Sequence, residues 1–196
     1  MTSDKIAFPT RRAAAARNRE RILAAARAAF AEQDAEVSMA EISRRAGVGM
    51  ATLYRNFPGR PELLEALCVG DVDAICEAAE IIDGDSPGAR LEAWLRRFFV
   101  FFNKNHHVAE LLKQTNDAAA FLSATRARVL AVGRPLLLAA QQAHETREDL
   151  TLEQILQMII AIATIHRDPG FVEPILQTAL DGLRAKPRTP DATTAL

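Results

Sequence analysis

The sequence predicts an all-α protein in two parts: a small N-terminal helix-turn-helix domain and a larger helical domain. Three observations carry this. Ala, Leu, Glu and Arg dominate the 196 residues and no long alternating apolar pattern appears, so helical period prevails throughout. Two short helical segments meet at a tight turn, Ala46-Gly47-Val48-Gly49. Charge is unevenly shared: residues 1–62 hold 11 Lys/Arg against 7 Asp/Glu, and residues 63–196 hold 13 against 18. A basic front on an acidic body fits a front that meets a polyanion, although plain unevenness of surface charge gives the same distribution.

Taken in order, residues 1–16 read as a flexible basic arm, with Pro9 followed by Arg11 and Arg12. The first helix is expected from Arg17 to Glu32, with Ile22, Ala26 and Phe30 forming one apolar stripe. The second runs from Ser38 to Ala46. Ser38 and Glu41 have the spacing of a capping box, and Gly47 suits the left-handed residue that ends a helix. The third is short, Met50 to Asn56, and Pro58, Gly59 and Pro61 punctuate the next turn. A long fourth helix follows from Pro61 to Ile82, proline being tolerated in a first turn. After the break at Asp83–Gly88, further helices are expected over 89–103, 107–114, 117–145 (with a possible break at Gly133-Arg134-Pro135), 152–166 and 173–185. The Pro- and Thr-rich residues 186–196 read as a disordered tail. The helices therefore divide into residues 17–62 and residues 63–185.

Composition narrows the function classes. Cys68 and Cys76 form neither a disulfide framework nor a zinc spacing, and read as small buried hydrophobes in a reducing compartment. The N-terminus lacks the apolar run of a signal peptide, and the apolar stretch Met158–Ala163 is too short to span a bilayer, so a cytoplasmic protein is expected. There is no metal-ligand spacing, no nucleophile with a placed base and no phosphate-cradling glycine loop, which argues against an enzyme. No cofactor and no metal are expected.

The second and third helices can pack on the first through Ile42, Ala46, Val48 and Leu53, the architecture that places a second helix in the major groove. A helix as short as the third is not stable alone, so one face leans on its neighbours and the other is open to DNA. The runs Arg19-Glu20-Arg21-Ile22-Leu23-Ala24-Ala25-Ala26, Phe30-Ala31-Glu32, Gly47-Val48, Thr52-Leu53-Tyr54-Arg55-Asn56-Phe57, Arg60 and Glu62-Leu63-Leu64 resemble the N-terminal signature of the TetR family. The likeness covers roughly residues 17–67. The remainder more loosely resembles the SbtR-like subgroup, through its aromatic fifth helix and the ending Ala179-Leu180-Asp181-Gly182-Leu183-Arg184. Two positions depart from the pattern: Asp34 stands where the family often has Gly, and Asn56 where it often has His. Aspartate tolerates left-handed backbone, and asparagine can donate to phosphate without charge.

Chemistry suggests roles. Gly49, Met50 and Ala51 open the recognition helix nearest the base edges, and Met50 and Ala51 suit thymine methyls or groove shape. Arg55 is the candidate guanine reader. Ser38, Thr52, Tyr54, Asn56 and Arg60 are candidate phosphate contacts; Ser38 is also a cap, and Tyr54 reads equally as core. Arg44 and Arg45 read as a solvated face.

In the larger half, Leu91, Trp94, Leu95, Phe98, Phe99, Phe101 and Phe102 cover an arc of about 160° at ~100° per residue. Trp94, Phe98, Phe101 and Phe102, with Phe121, Leu122 and Met158 behind, are candidate pocket-lining residues, the other reading being filled core. His106 and His107 adjoin the cluster and read as surface or capping residues. The helix after the capping box Thr151/Gln154, with a hydrophobic staple between Leu150 and Ile155, is apolar nearly all round. It offers Ile155, Ile159 and Ile162, and the last helix offers Leu176, Ala179, Leu180 and Leu183, to a four-helix dimer bundle; one monomeric core is the alternative. The resemblance implies a homodimeric repressor released from a palindromic operator by a small apolar effector. A ligand-independent DNA-binding or protein-interaction module is the competing reading, with an enzyme behind it.

Overall fold

The computed structural model describes residues 11–32, 37–115 and 118–185, leaving aside the side chains of Arg11 and residues 104–107. Residues 1–10 of the expected arm, Asp34, the side chains of His106 and His107, and the tail from 186 lie outside the described residues. Residues 11–16, expected in the arm, are helical instead, so the first helix starts six residues before the expected Arg17. The described residues form α1 (Arg11–Ala31), α2 (Met39–Ala46), α3 (Met50–Asn56), α4 (Arg60–Ile81), α5 (Pro87–Lys113), α6 (Ala118–Gln142), α7 (Leu152–Ala163) and α8 (Pro169–Asp181). They contain no strand; a lone backbone bridge joins Thr146 and Arg184.

Local chemistry sets most boundaries. Ser38 accepts a hydrogen bond from the Glu41 N–H and caps α2, and Gly47 ends that helix at φ +60°, where a side chain would be strained. Thr151 and Gln154 make both halves of the capping box that opens α7. Asp168 caps α8, with Pro169 in its first turn, so this helix starts four residues earlier than the expected Glu173. Two expected interruptions are absent. The backbone is helical through residues 104–106, making α5 one continuous helix, because Asn, Lys and His are modest helix formers but not breakers. Pro135 sits inside α6 without ending it. Ala131, whose carbonyl loses its partner there, is exposed to water.

The chain divides into two compact units, residues 1–70 with 107–119, and residues 71–106 with 120–196. α4 and α5 each contribute residues to both units. In the first unit, Ile22, Ala26, Ala29 and Phe30 of α1 are buried, as are Ile42 and Ala46 of α2 and Leu53 of α3. In the second, Trp94 is fully buried at the centre of a core built from Val72, Ile75, Leu95, Phe98, Leu152, Ile155, Ile159, Leu176 and Leu180. Its indole N–H donates to the Ile75 carbonyl at 3.3 Å. Gly133 lets α6 approach the indole: a Cβ there would lie 2.3 Å from the ring. The α7–α8 pair is closed at its chain ends, where the Arg147 N–H donates to Leu183 and the Ala185 N–H donates to Glu145, at 2.9 and 3.0 Å.

Candidate nucleic-acid interface

The turn between α2 and α3 is held by backbone and side-chain hydrogen bonds. The Gly47 and Val48 N–H groups donate to Arg44 and Ser43 carbonyls, each at 3.1 Å. The buried Ser43 hydroxyl donates to the Val48 carbonyl at 2.6 Å. From α1, Arg21 donates to the Gly47 carbonyl at 3.0 Å. At the far end of α3, Arg19 donates to the Asn56 carbonyl at 3.3 Å and lies 4.4 Å over the Phe57 ring. The recognition helix is thus fixed at both ends.

Positive charge is deployed differently on the two helices. On α2, Arg44 and Arg45 both pair with Glu41, and Arg45 also reaches Glu32. Hydrogen bonds from Arg44 and Arg45 hold the Glu41 carboxyl at about 2. That carboxylate is therefore occupied by arginines and does not complete the reciprocal half of the capping box expected at Ser38. On α3, Leu53 faces inward, fully buried. Met50, Ala51, Tyr54 and Arg55 face water, with Met50 38% and Tyr54 46% exposed. At ~100° per residue these four cover one arc, from about 60° to about 200° around the helix from Leu53. Tyr54 is therefore a surface residue and not core. Gly49 is exposed at the N-cap, and the helix has no side-chain cap.

Other candidate contacts are engaged inside the unit. Arg55 folds back on its own helix, donating to the Ala51 carbonyl and Thr52 Oγ1, each at 3.1 Å. Half-buried Asn56 donates to the Thr52 carbonyl at 2.8 Å. Arg60 is half-buried, donates to the Val37 carbonyl and lies 5.3 Å over the Phe30 ring. Its first role is to fasten the start of α4. Ser38 is exposed, and its hydroxyl hydrogen stays available beyond the cap bond.

A short helix held at both ends, with an outward face that begins at a glycine and carries a single charge at Arg55, is the form of a helix that enters the major groove. Residues 22–67 match the family model for bacterial regulatory proteins of the tetR family, and residues 86–185, half the chain, match that for the SbtR-like transcriptional regulator C-terminal domain. The chain belongs to the TetR family. A TetR regulator from Mycobacterium vanbaalenii is 31% identical, over 89% of this chain and 99% of that one, with a TM-score of 0.68. The TetR regulator SCO0520 from Streptomyces coelicolor is 30% identical, over 86% and 99%, with a TM-score of 0.67. FadR from Bacillus subtilis, whose structure holds stearoyl-CoA, shares the fold at 19% identity, over 84% and 98%, with a TM-score of 0.65. No curated protein matches the chain. No helix among the described residues is long and apolar enough to cross a membrane.

In this TetR-family regulator the residues expected to serve effector and partner are mostly interior. Trp94 is fully buried and Phe98 is 5% exposed, their rings stacked with centroids 6.1 Å apart. Phe101 and Phe102 lie 6.4 and 6.1 Å from the Phe98 ring and are half-buried, as are Phe121, Leu122 and Met158. A groove of about 460 Å³ opens beside Phe101, lined also by Ala74, Ile75, Ala78, Arg96, Arg97 and Val100. Trp94 and Phe98 do not line it.

The residues expected at the partner interface lie mostly inside: Ile155, Ile159, Ile162, Leu176, Leu180 and Leu183 are at most 7% exposed in one chain and belong to its core. Of the expected interface residues only Ala179 is half-buried. The outward stripe of α8 is instead Phe171, 52% exposed, Ile175, 37% exposed, Thr178 and Gly182. The sequence signal for it was Asp168-Pro169, a cap followed by a first-turn proline, which brings Phe171 into the helix and into register with Ile175. Arg19 and Arg21, which stand in the N-terminal signature run, and Ser43 fix the turn and the recognition helix, roles that spacing alone does not assign.

Proposed function

We propose that this regulator is a homodimer that reads a palindrome through α3 and releases it when a small apolar molecule binds the larger unit. The outward α3 face carries the reading. It is exposed, almost free of charge and held in place, while the α2 guanidiniums beside it are already paired. Met50 and Ala51 suit thymine methyls and groove shape, Tyr54 and Ser38 suit phosphate oxygens, and Arg55 can leave its weak local bonds to read a guanine. In the dimer, two recognition helices sit about one turn of DNA apart, ~34–36 Å. The test is fluorescence anisotropy on duplexes from the DNA flanking the gene. Arg55→Ala should lose about 1–3 kcal/mol of discrimination at one base pair. Equal losses on cognate and scrambled duplex would overturn its reading role.

The partner surface we assign is the α8 stripe Phe171, Ile175, Thr178 and Gly182, flanked on α7 by the exposed Gln157, Ala161 and Thr164. An exposed apolar pair one helical turn apart is the feature that a second copy would cover. For the effector, the open groove beside Phe101 replaces the Trp94 end of the cluster, since a fully packed indole leaves no room for a ligand. The filled core around Trp94 favours a second reading, a regulator that needs no effector. Phe101→Asp separates the two: loss of response to an inducing apolar compound, with DNA binding intact, supports the first.

A further inference from the structure

We infer that Arg19 and Arg21 are positioning residues for DNA reading, which hold the recognition helix by its carbonyl groups and do not contact phosphate. Both lie on α1, yet each is bonded to the reading motif. Arg21 donates to the Gly47 carbonyl in the turn, and Arg19 to the Asn56 carbonyl at the end of α3. Relative to buried Ile22, ~100° per residue places Arg19 on one flank of the stripe and Arg21 on the other. The pair straddles the face on which α2 and α3 pack.

Each bond meets a carbonyl at or just past the end of a helix. The Asn56 carbonyl, the last of α3, has no intrahelical partner and lies at the negative end of that helix dipole, which favours a guanidinium. The Gly47 carbonyl belongs to the left-handed residue after α2, outside that helix. Arg19 gains a second anchor, the face of the buried Phe57 ring. Gly47 suits its place on two counts, since its φ is +60° and a Cβ would lie 2.6 Å from the Arg21 guanidinium. The helix so held has seven residues and no side-chain cap, so its orientation depends on such tertiary bonds more than that of a long helix would.

The inference rests on α3 facing DNA, and the experiment keeps the two apart. Full-length wild type, Arg19→Ala, Arg21→Ala and the two Arg→Lys variants are titrated against a duplex enriched by wild type from a random-sequence pool, and against a scrambled duplex, across a salt series. Wild type failing to prefer the enriched duplex would refute the DNA reading itself. With that preference present, each alanine variant should lose about tenfold on the enriched duplex, comparable to one charge-assisted hydrogen bond. It should lose far less on the scrambled one, and its salt slope should be unchanged. Lysine keeps the charge without the planar fork and should restore less than half of the lost preference. A slope shallower by about 0.9 with equal losses on both duplexes, restored by lysine, would make these residues phosphate contacts and overturn the proposal. Variants indistinguishable from wild type would overturn it too. Both side chains are exposed, so melting temperatures should stay near that of wild type.

Discussion

The two units use apolar residues in opposite ways. In the unit containing residues 1–70, the residues that chemistry singles out for function lie largely on the surface: Met50, Ala51, Tyr54 and Arg55 point away from the buried Leu53. In the unit containing residues 120–196, the residues singled out for partner binding lie inside, with Ile155 and Ile159 fully buried. Apolar periodicity reveals that a helix has a face to hide. It does not reveal whether the chain or a second copy hides it. A helix apolar nearly all round, such as α7, is the hardest case, and here its own chain covers most of it.

The largest effects should come from mistaking one kind of face for the other. Ile159→Asp buries an unpaired charge in the chain's own core, costing on the order of 3–5 kcal/mol. Circular dichroism should show loss of helix and of the cooperative melt. Ile175→Asp, on the exposed stripe, should keep the melt of the single chain and shift sedimentation from dimer to monomer at micromolar concentration. Dissociation of Ile159→Asp into folded monomers would reverse the comparison.

Trp94→Ala comes next. The indole is fully buried and touches α6 at Gly133, so truncation should cost about 3–5 kcal/mol. DNA affinity of the fraction that stays folded should be unchanged. A variant as stable as wild type, yet deaf to effector, would return Trp94 to the role of pocket wall.

On the reading side the expected changes are smaller. Gly49 is the N-cap of α3, in extended backbone open to any residue, and a Cβ there meets nothing within 4 Å. Gly49→Ser should supply the missing cap and raise stability by a few tenths of a kcal/mol, read from denaturant midpoints. No gain would mean that the Gly49 backbone does not present a hydroxyl to the next turn.

The smallest effect concerns Glu41. Its carboxyl is depressed from 4.5 to about 2 by hydrogen bonds from Arg44 and Arg45. A group depressed in the folded state contributes stability that is complete above about 4.5 and fades as pH falls toward 2. Between those values Glu41→Gln should flatten the acid dependence of unfolding slightly, since the group is exposed and solvent screens it. An identical acid limb in both proteins would show that the cluster does not stabilise the fold.

Much of this was legible in the residues. The three-helix front, the cap at Ser38, the left-handed Gly47 and the capping box at Thr151 follow from short-range rules, and the structure reproduces them. Long-range features did not follow. The continuity of α5 through residues 104–106 overrides weak local propensity, and Pro135 is carried inside α6. At the candidate site, α3 and its outward face were readable from spacing. The inward engagement of Arg60 and Asn56 was not, because an arginine near a helix start serves a phosphate or a carbonyl equally well until the fold supplies one.

The small backbone closure at Glu145–Arg147 and Leu183–Ala185 has a consequence for assembly. It ties the entrance of the α7–α8 hairpin to its exit, so residues 145–185 form a ring fastened by main-chain bonds. A surface carried on such a ring is held by main-chain bonds before any partner arrives. Association then has little internal freedom to quench, and more of the contact energy remains as affinity. Amide hydrogen exchange should show the Arg147 and Ala185 N–H groups protected to the same degree, because neither end of the ring can open alone.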